Sequence, residues 1–486
     1  MGGFCQFYGQ PPNLPSPCQS GVWERVFHDL VRDKKNQYLM IESTLVRAHQ
    51  QAATRLVDGI PSVGIDWFNY GGLTRDVSLV SVPAAFIDDY DVHLAHGQAW
   101  QPGNTEITGY VHVLDAPAGT SVTVDIPEAG AETTCTTDAD GNALFSVKAG
   151  KLTLWSPESP KLYKVNLATV EDKITDDIGF HDIRVDGTRI LLNGNAVFLQ
   201  GANMHAEAPV RGGRANTDED VATIFSYLKD LNANFVRLAH YPHDERMERA
   251  ADRDGIMVWS EIPNWQRISF DKPEVYAKDV AMLREMIRRD RNKASVILWS
   301  VSNETGNYPV RTKFLTGLVD EARKLDSTRL IPSALNSAHI EGTTAVLNDP
   351  FADALDVVGV NEYIGWYSGA PEDADKMQWT LPQKPIIMSE FGAEAKQGNH
   401  GATNQRWTEE QQAYVLEHQF VMLNKIPQLR GVTPWILMDF RSPGRNIPKL
   451  QDGYNRKGLI SEEGKKKQSF ELIQNIYKQH GVGKPE

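Results

Sequence analysis

The stretches ILWSVSNET (Ile297–Thr305) and PIIMSEFGAE (Pro385–Glu394) each carry a run of apolar residues directly into a glutamate. A short apolar run of this kind is typical of a β-strand that is buried on both faces, as in a parallel barrel. Residues just beyond the carboxyl ends of such strands form the rim where parallel barrels hold their reactive groups. We therefore predict that Glu304 and Glu390 lie near each other and act as a pair.

Strand-like and helix-like segments alternate from Phe198 onward, which predicts repeated βα units around a parallel sheet. The helix-like segments often begin with acidic residues and end with Lys, Arg or Asn, as helix dipoles favour. Eight strands in about 290 residues is the size of a (β/α)8 or TIM barrel, which we predict as a catalytic domain over residues 186–486. The predicted strands are Val197–Met204, Asn234–Ala239, Ile256–Ile262, Val296–Val301, Leu330–Ala334, Val357–Val360, Pro385–Ser389 and Gly431–Leu437.

Residues 86–185 have a different pattern, in which short alternating segments are separated by turn signals. Examples are EITGYVHVLD (Glu106–Asp115) and TSVTVDI (Thr120–Ile126), followed by the turn sequence DADGN (Asp138–Asn142). This spacing predicts an immunoglobulin-like β-sandwich, although another all-β module of similar size would give the same pattern. We thus expect a multidomain protein that combines all-β and α/β domains.

The composition restricts the class of protein. With 486 residues the chain is too long for one ordinary domain, and its formal net charge of −13 would repel phosphate groups. We therefore expect neither a nucleic-acid partner nor binding to an anionic membrane. No apolar run approaches the ~20 residues of a membrane span, and residues 1–15 lack the features of a signal peptide. Because Cys5, Cys18 and Cys135 have no metal-ligand spacing, we expect a cytoplasmic protein without a metal site or cofactor.

Motifs spread over most of the chain give it a family resemblance. WSVSNE and MSEFG, at the ends of the fourth and seventh predicted strands, resemble the catalytic motifs of glycoside hydrolase family 2. Further matching motifs are DWFNYGGLTRDV (Asp66–Val77), LWSPESPKLY (Leu154–Tyr163), LLNGNAVFLQGANMH (Leu191–His205), VRLAHYPHDERM (Val236–Met247) and NEYIGWY (Asn361–Tyr367). The resemblance implies an enzyme that hydrolyses terminal β-linked sugars, with a carbohydrate as its partner.

The resemblance implies separate roles for the two glutamates. Glu304 would be the general acid/base and Glu390 the nucleophile of a retaining glycosidase, whose carboxyl groups lie about 5 to 5.5 Å apart. Glu390 would form a covalent glycosyl-enzyme, which a water activated by Glu304 then hydrolyses. Taken singly, each glutamate could instead cap a strand or pair with an arginine.

The resemblance also implies roles for five further residues near the strand ends. Asn303 would donate a hydrogen bond to the 2-hydroxyl of the sugar, and His205 would contact the substrate. Arg237 and His240 would support the nucleophile, because an arginine beside a carboxylate keeps it ionised. Trp435 would provide a flat apolar floor for a sugar ring. A purely structural role is the alternative for each of them.

Within the family, the strongest resemblance is to β-glucuronidases. YNRKG contains Asn455 and Lys457 in the Asn-x-Lys arrangement with which those enzymes bind the uronate carboxylate through charge-assisted hydrogen bonds. Gln451 occupies a position where they can carry an additional arginine, so a β-galactosidase or another neutral-sugar hydrolase is the alternative. Further substrate contacts are implied for Asn361, Tyr363 and Tyr367.

The region before the sandwich is shorter than the resemblance leads us to expect. Family members begin with a jelly-roll sugar-binding domain, from which a loop brings an aspartate to the sugar, and Asp66 matches that aspartate. Residues 1–85 are predicted to be a truncated or divergent remnant of this domain, and residues 22–56 have apolar spacing closer to a helix than a strand. A catalytically impaired carbohydrate-binding protein is therefore a third alternative. A homo-oligomer is also an option, because family members often form dimers or tetramers.

Overall fold

The computed structural model describes residues 65–70, 74–95 and 105–479, together with three short strand segments at 39–43, 56–57 and 60–61. Predictions that concern the remaining residues, including Cys5, Cys18 and most of the proposed jelly-roll remnant, lie outside the described part of the chain. The boundaries predicted at residues 85 and 185 likewise stay predictions.

The described segments before residue 65 are β-strands. Strand β1 (Leu39–Ser43) pairs antiparallel with β4 (Val77–Ser81), and between them β2 (Leu56–Val57) pairs with β3 (Ile60–Pro61). The helical spacing of residues 22–56 therefore predicts the wrong structure for residues 39–43, because pairing with a distant strand overrides a weak local pattern.

Two antiparallel sheets, which precede the barrel in the chain, form a sandwich. Alternate residues of the strands are buried, and Val111, Val124 and Leu167 belong to the apolar core that both sheets share. One sheet has the order β5-β6-β9 and the other the order β11-β10-β7-β8. The strands are β5 (Phe86–Leu94), β6 (Thr105–Leu114), β7 (Ser121–Ile126), β8 (Ala131–Thr136), β9 (Asn142–Ala149), β10 (Tyr163–Ala168) and β11 (Lys173–Ile178).

A small antiparallel sheet connects the sandwich to the barrel. It contains β12 (Ile183–Asp186), β13 (Arg189–Leu192) and β14 (Asn195–Ala196), with the turn at Asn193 and Gly194 that an Asn-Gly pair favours. Its apolar residues share a buried cluster with residues of the barrel strands. The sheet therefore covers one end of the barrel and leaves the other end available for a site.

Eight parallel strands form the largest sheet, and the predicted TIM barrel is confirmed. Its order is β18-β17-β16-β15-β25-β24-β22-β19, and Trp299 N–H donates to Leu330 O at 3.0 Å where the first and last strands meet. The strands of this region are β15 (Leu199–Met204), β16 (Phe235–Leu238), β17 (Met257–Glu261), β18 (Val296–Ser300), β19 (Pro332–Leu335), β20 (His339–Glu341), β21 (Thr344–Val346), β22 (Val357–Asn361), β23 (Gln378–Thr380), β24 (Ile386–Glu390), β25 (Leu429–Val432), β26 (Phe440–Arg441) and β27 (Tyr454–Asn455).

Helices surround the barrel strands, as the alternation predicts. The first begins with a capping box in which Thr217 and Asp220 each accept a hydrogen bond from the other's backbone. The helices are α1 (Asp218–Asp230), α2 (Glu245–Asp254), α3 (Pro273–Asp290), α4 (Pro309–Leu325), α5 (Pro371–Ala374), α6 (Glu409–Leu423) and α7 (Gln468–Lys478). None of the helices in the described residues combines the length and apolar character that a membrane crossing requires.

The segment that follows residues 71–73, a few residues after Asp66, is attached to the barrel by side chains. Arg75 Nη2 donates to the carbonyl of Pro242 at 2.6 Å, and Arg246 Nη2 donates to Asp76 Oδ2 at 2.6 Å. These contacts lie where β16 leads into α2. They fix the segment beside the carboxyl ends of the barrel strands.

Candidate active site

A cavity of about 340 Å³ lies at the carboxyl ends of the barrel strands. Most of the residues predicted for the site line it, which brings together side chains from the N-terminal segment, the barrel strands and the loops after them. The lining residues are Asp66, Trp67, His205, His240, Trp265, Gln266, Glu304, Tyr363, Tyr367, Glu390, Trp435, Arg445 and Lys457.

Glu390 is the last residue of β24 and is buried. Its Oε1 accepts a hydrogen bond from Arg237 Nη1 at 3.0 Å, and its Oε2 accepts one from the Tyr363 hydroxyl at 2.7 Å. Burial, together with the charge of Glu304, raises the pKa of Glu390 above its ordinary value, while Arg237, His240 and Tyr363 oppose the increase. The carboxylate is therefore held in place by two donors that favour its ionised form.

Glu304 lies four residues beyond the end of β18 and is partly exposed to the cavity. Its Oε1 accepts a hydrogen bond from Asn361 Nδ2 at 3.0 Å, and Gln266 Nε2 lies 3.4 Å from Oε2. Its φ of 53° is uncommon for a residue other than glycine and costs about 1 to 3 kcal/mol where the surrounding structure imposes it. Unlike Glu390, this carboxyl has only neutral amide donors as its hydrogen-bond partners among the described residues.

Arg237, predicted to support the nucleophile, is fully buried at the centre of a polar cluster. It donates to Glu261 through Nε and Nη2, both at 3.0 Å, and His240 Nδ1 lies 2.7 Å from Glu261 Oε1. Burial alone would raise the pKa of Glu261, but the charge of Arg237 and the contact with His240 hold it below its ordinary value. Glu261 therefore fixes both residues behind Glu390, a role that its place at the end of β17 did not reveal in the sequence.

Asn303 is buried behind the cavity wall. Its Oδ1 accepts hydrogen bonds from Arg237 Nη2 at 2.8 Å and from Asn361 Nδ2 at 3.1 Å. Its Nδ2 has no partner among the described residues although the atom is buried. Since an unpaired buried donor is costly, this amide nitrogen is a candidate for a bond to a ligand.

Aromatic rings cover the floor of the cavity. His240 stacks on Trp435 with a centroid distance of 4.9 Å, and Trp67 lies 5.6 Å from His240 and 5.3 Å from Trp265. His205 contacts Trp435 edge-on, and burial lowers the pKa of His205 well below its ordinary value. The predicted strand around Trp435 is too long, because β25 ends at Val432, yet Trp435 still lines the cavity.

A cluster of charges forms another part of the wall. Arg445 donates to both oxygens of Asp66 at 2.6 Å and to Glu394 Oε1 at 2.5 Å. Lys457 Nζ donates to the Tyr367 hydroxyl at 2.7 Å and lies 3.4 Å from the same Glu394 oxygen. The charges of Arg445 and Lys457 keep the pKa of Asp66 below its ordinary value despite burial, and the same two cations do so for Glu394.

Asn455 and Gln451 support this cluster from behind. Asn455 Nδ2 donates to Asp66 Oδ2 at 3.0 Å, and Gln451 Nε2 donates to Glu394 Oε2 at 3.1 Å. Neither residue lines the cavity, whereas Lys457 does. The predicted Asn-x-Lys pair is therefore present at the site, with its amide directed to a protein carboxylate.

Several residues at the site were missed by sequence reasoning. Trp67 follows Asp66 directly and could have been included with it, whereas Trp265, Gln266 and Arg445 belong to no motif that we recognised.

In the described part of the chain, no group of three or more His, Cys, Asp or Glu residues is arranged to hold a metal ion.

Comparison with known proteins gives the site a family. Beta-glucuronidase of Paenibacillus borealis is 28% identical over 443 residues, covering 86% of this chain and 71% of that protein. Beta-glucuronidase of Rattus norvegicus is 28% identical over 454 residues, covering 86% of this chain and 65% of that protein. The chain thus spans about two thirds of the length of these relatives.

Solved structures have the same fold. The beta-D-glucuronidase of Dictyoglomus thermophilum superimposes with a TM-score of 0.72 at 24% identity, covering 85% of this chain and 72% of that one. A GH2 beta-galacturonidase from Eisenbergiella tayi bound to galacturonate superimposes with a TM-score of 0.75 at 25% identity, covering 86% and 76%. The protein-family model for the TIM barrel domain of glycosyl hydrolases family 2 matches residues 183–480 of this chain. The chain therefore belongs to glycosyl hydrolases family 2.

Proposed function

We propose that this protein is a retaining exo-β-glycosidase that hydrolyses terminal β-linked uronides, with β-glucuronides as the first substrate class. The observation that carries the proposal is the pair Glu304 and Glu390, which line one cavity in different surroundings. Glu390 accepts hydrogen bonds from Arg237 and Tyr363, which favour a carboxylate that can attack. Glu304 has neutral amide partners, which suit a group that must both give and take a proton.

In the first step, a Glu390 oxygen attacks the anomeric carbon while Glu304 transfers its proton to the leaving oxygen. The glycosidic bond breaks, and an ester bond joins the sugar to Glu390. In the second step, Glu304 takes a proton from water as the water oxygen attacks the same carbon. The ester bond breaks, and the sugar leaves with its original configuration.

The groups around the pair have roles that their contacts support. The unpaired Nδ2 of Asn303 would donate to the 2-hydroxyl of the sugar, because Arg237 and Asn361 already hold the amide oxygen. Such a bond strengthens as the ring becomes oxocarbenium-like in the transition state. His205 has an Nε2 atom without a partner among the described residues and would contact another hydroxyl.

The choice of a uronide depends on the charged wall. Lys457 lines the cavity, and a carboxylate gains charge-assisted hydrogen bonds from an ammonium that a neutral sugar would not. The names of the relatives favour glucuronides, and that of the Eisenbergiella tayi neighbour makes galacturonides a second uronide to test. A neutral β-galactoside is the competing substrate, because Gln451 is uncharged and Lys457 already contacts Glu394.

A set of 4-nitrophenyl β-glycosides with one leaving group tests the proposal. We expect the highest kcat/KM for the glucuronide or galacturonide, and a preference for the galactoside would favour the neutral-sugar alternative. Glu390→Gln should reduce kcat by more than about 10⁴-fold. Glu417→Gln, on the exposed face of α6, is the matched control and should leave kcat unchanged. Binding of sugars without turnover by the unaltered protein would instead indicate the impaired carbohydrate-binding protein.

The remaining expectations about its surroundings are also proposals. The few cysteines favour the cytoplasm, and the net charge of −13 disfavours a nucleic-acid partner. Size-exclusion chromatography with light scattering would determine whether the protein forms a homo-oligomer.

A further inference from the structure

Arg445 lies in the loop between β26 and β27 and lines the cavity beside Lys457. The pairing of β26 with β27 brings the two ends of this loop together. Arg445 therefore lies near the Asn-x-Lys motif although it is ten residues before Asn455. Its side chain is 19% exposed, which leaves part of the guanidinium accessible from the cavity. Arg445 therefore adds a cation that the Asn-x-Lys motif does not include.

The hydrogen bonds of Arg445 leave donor capacity for a ligand. Nε and Nη2 donate to the two oxygens of Asp66 at 2.6 Å, Nη1 donates to Glu394 at 2.5 Å, and Nη2 also donates to the Tyr367 hydroxyl at 3.3 Å. A guanidinium has five N–H donors, so one on Nη1 is not used by these four bonds. The contact with Tyr367 is the longest of the four and the easiest to exchange.

The Tyr367 hydroxyl joins the two cations of the wall. It accepts from Lys457 Nζ at 2.7 Å and from Arg445 at 3.3 Å, so one oxygen lies between an ammonium and a guanidinium. The Tyr367 residue is 60% exposed, so solvent borders its ring and offers the space into which a ligand would displace it. A substrate oxygen with negative charge could then occupy the same position with both donors.

We propose that Arg445 is a specificity-determining residue that binds the sugar carboxylate together with Lys457 and holds Asp66 in place for a neighbouring hydroxyl. This inference depends on the proposed uronide activity. Gln451, at the position where β-glucuronidases can carry an additional arginine, donates to Glu394 and does not line the cavity. Arg445 supplies the missing positive charge from six residues earlier in the chain.

The test compares two substrates that differ only at carbon 6, 4-nitrophenyl β-D-glucuronide and 4-nitrophenyl β-D-glucoside. In Arg445→Gln we expect the ratio of their kcat/KM values to fall by about 10- to 100-fold, the effect of one hydrogen bond to a charged group. Loss of the Asp66 contact should reduce both substrates by a common factor, which cancels in the ratio. Arg430→Gln, at the opposite end of the barrel, is the control and should leave the ratio unchanged.

Two further variants keep the result interpretable. Arg445→Lys retains the charge but not the planar fork, so the ratio should fall by less than in Arg445→Gln. This variant also tests the inference if Arg445→Gln fails to fold. In Arg445→Gln/Gln451→Arg, recovery of the ratio would support a requirement for a second cation at this wall. An unchanged ratio in the folded Arg445 variants would overturn the inference. Absence of both glucuronide and galacturonide hydrolysis by the unaltered protein would instead refute the proposed function.

Discussion

Tyr363→Phe should weaken the candidate nucleophile most strongly at acid pH. The Tyr363 hydroxyl donates to Glu390 Oε2 at 2.7 Å, and burial raises the pKa of Tyr363 well above its ordinary value, so the hydroxyl keeps its proton. A hydrogen bond to a charged acceptor contributes about 1.5 to 3 kcal/mol, which corresponds to a factor of about 10 to 100. Because this bond favours the ionised carboxyl, its loss raises the pKa of Glu390 further.

The sign of the pH effect follows from the ionised form being the active one. Below the pKa of Glu390 the nucleophile is protonated, so the variant should lose about 10- to 100-fold in kcat/KM at acid pH. The loss should become smaller as the pH rises and both proteins become ionised. The acidic limb of the profile of kcat/KM against pH should therefore move to higher pH.

The assay is the profile of kcat/KM against pH for the best glycoside, measured from pH ~4 to ~9. Tyr367→Phe is the matched control, because its hydroxyl contacts Lys457 and Arg445 and not Glu390. Its acidic limb should stay in place. A Tyr363→Phe profile that is lower at every pH by one factor, with an unmoved limb, would refute the reasoning.

Two substitutions test the scaffold. Asp439→Asn should lower the free energy of unfolding by about 3 to 5 kcal/mol, because Asp439 is buried and pairs with Lys467 at 2.8 Å. Urea unfolding would measure this difference, and a change below about 1 kcal/mol would contradict the prediction. Gly201→Ala should lower the free energy of unfolding by about 1 to 3 kcal/mol or more, since an added Cβ would lie 1.9 Å from the carbonyl oxygen of Phe235 on the next strand. Gly150→Ala is its control, because an added Cβ there would lie 3.4 Å from the carbonyl oxygen of Ala129. It should shift the midpoint of urea unfolding far less.

The barrel and the carboxylate pair were accessible from sequence because their signals are local. A parallel strand buried on both faces is apolar along its length, so ILWSV and PIIMS predict strands without knowledge of their neighbours. The residue at the carboxyl end of such a strand faces the rim by the geometry of the fold alone. The position of Glu390 could therefore be predicted without information about loops. For Glu304, only the first residues of the loop after its strand were needed.

The charged wall was only partly accessible because its contacts are distant in sequence. Arg445 and Asp66 are 379 residues apart, and nothing near either residue indicates the other. The position of Arg445 depends on the short pairing of β26 with β27, whose two-residue strands have no periodicity to detect. Lys457 was found only because it belongs to a motif of the family.

The arrangement of charges at this wall limits how it could select a uronide. Arg445 and Lys457 carry two positive charges, and the ionised Asp66 and Glu394 carry two negative ones, so the four groups sum to zero. A net local field would thus contribute little to attracting an anion on a chain with an overall charge of −13. Selection must come from the exchange of individual hydrogen bonds. The 3.4 Å contact of Lys457 with Glu394 is easier to give up than the 2.6 Å fork between Arg445 and Asp66, so Lys457 would turn toward the substrate. Arg445 would stay attached to Asp66 and donate its unused Nη1 hydrogen to the sugar carboxylate.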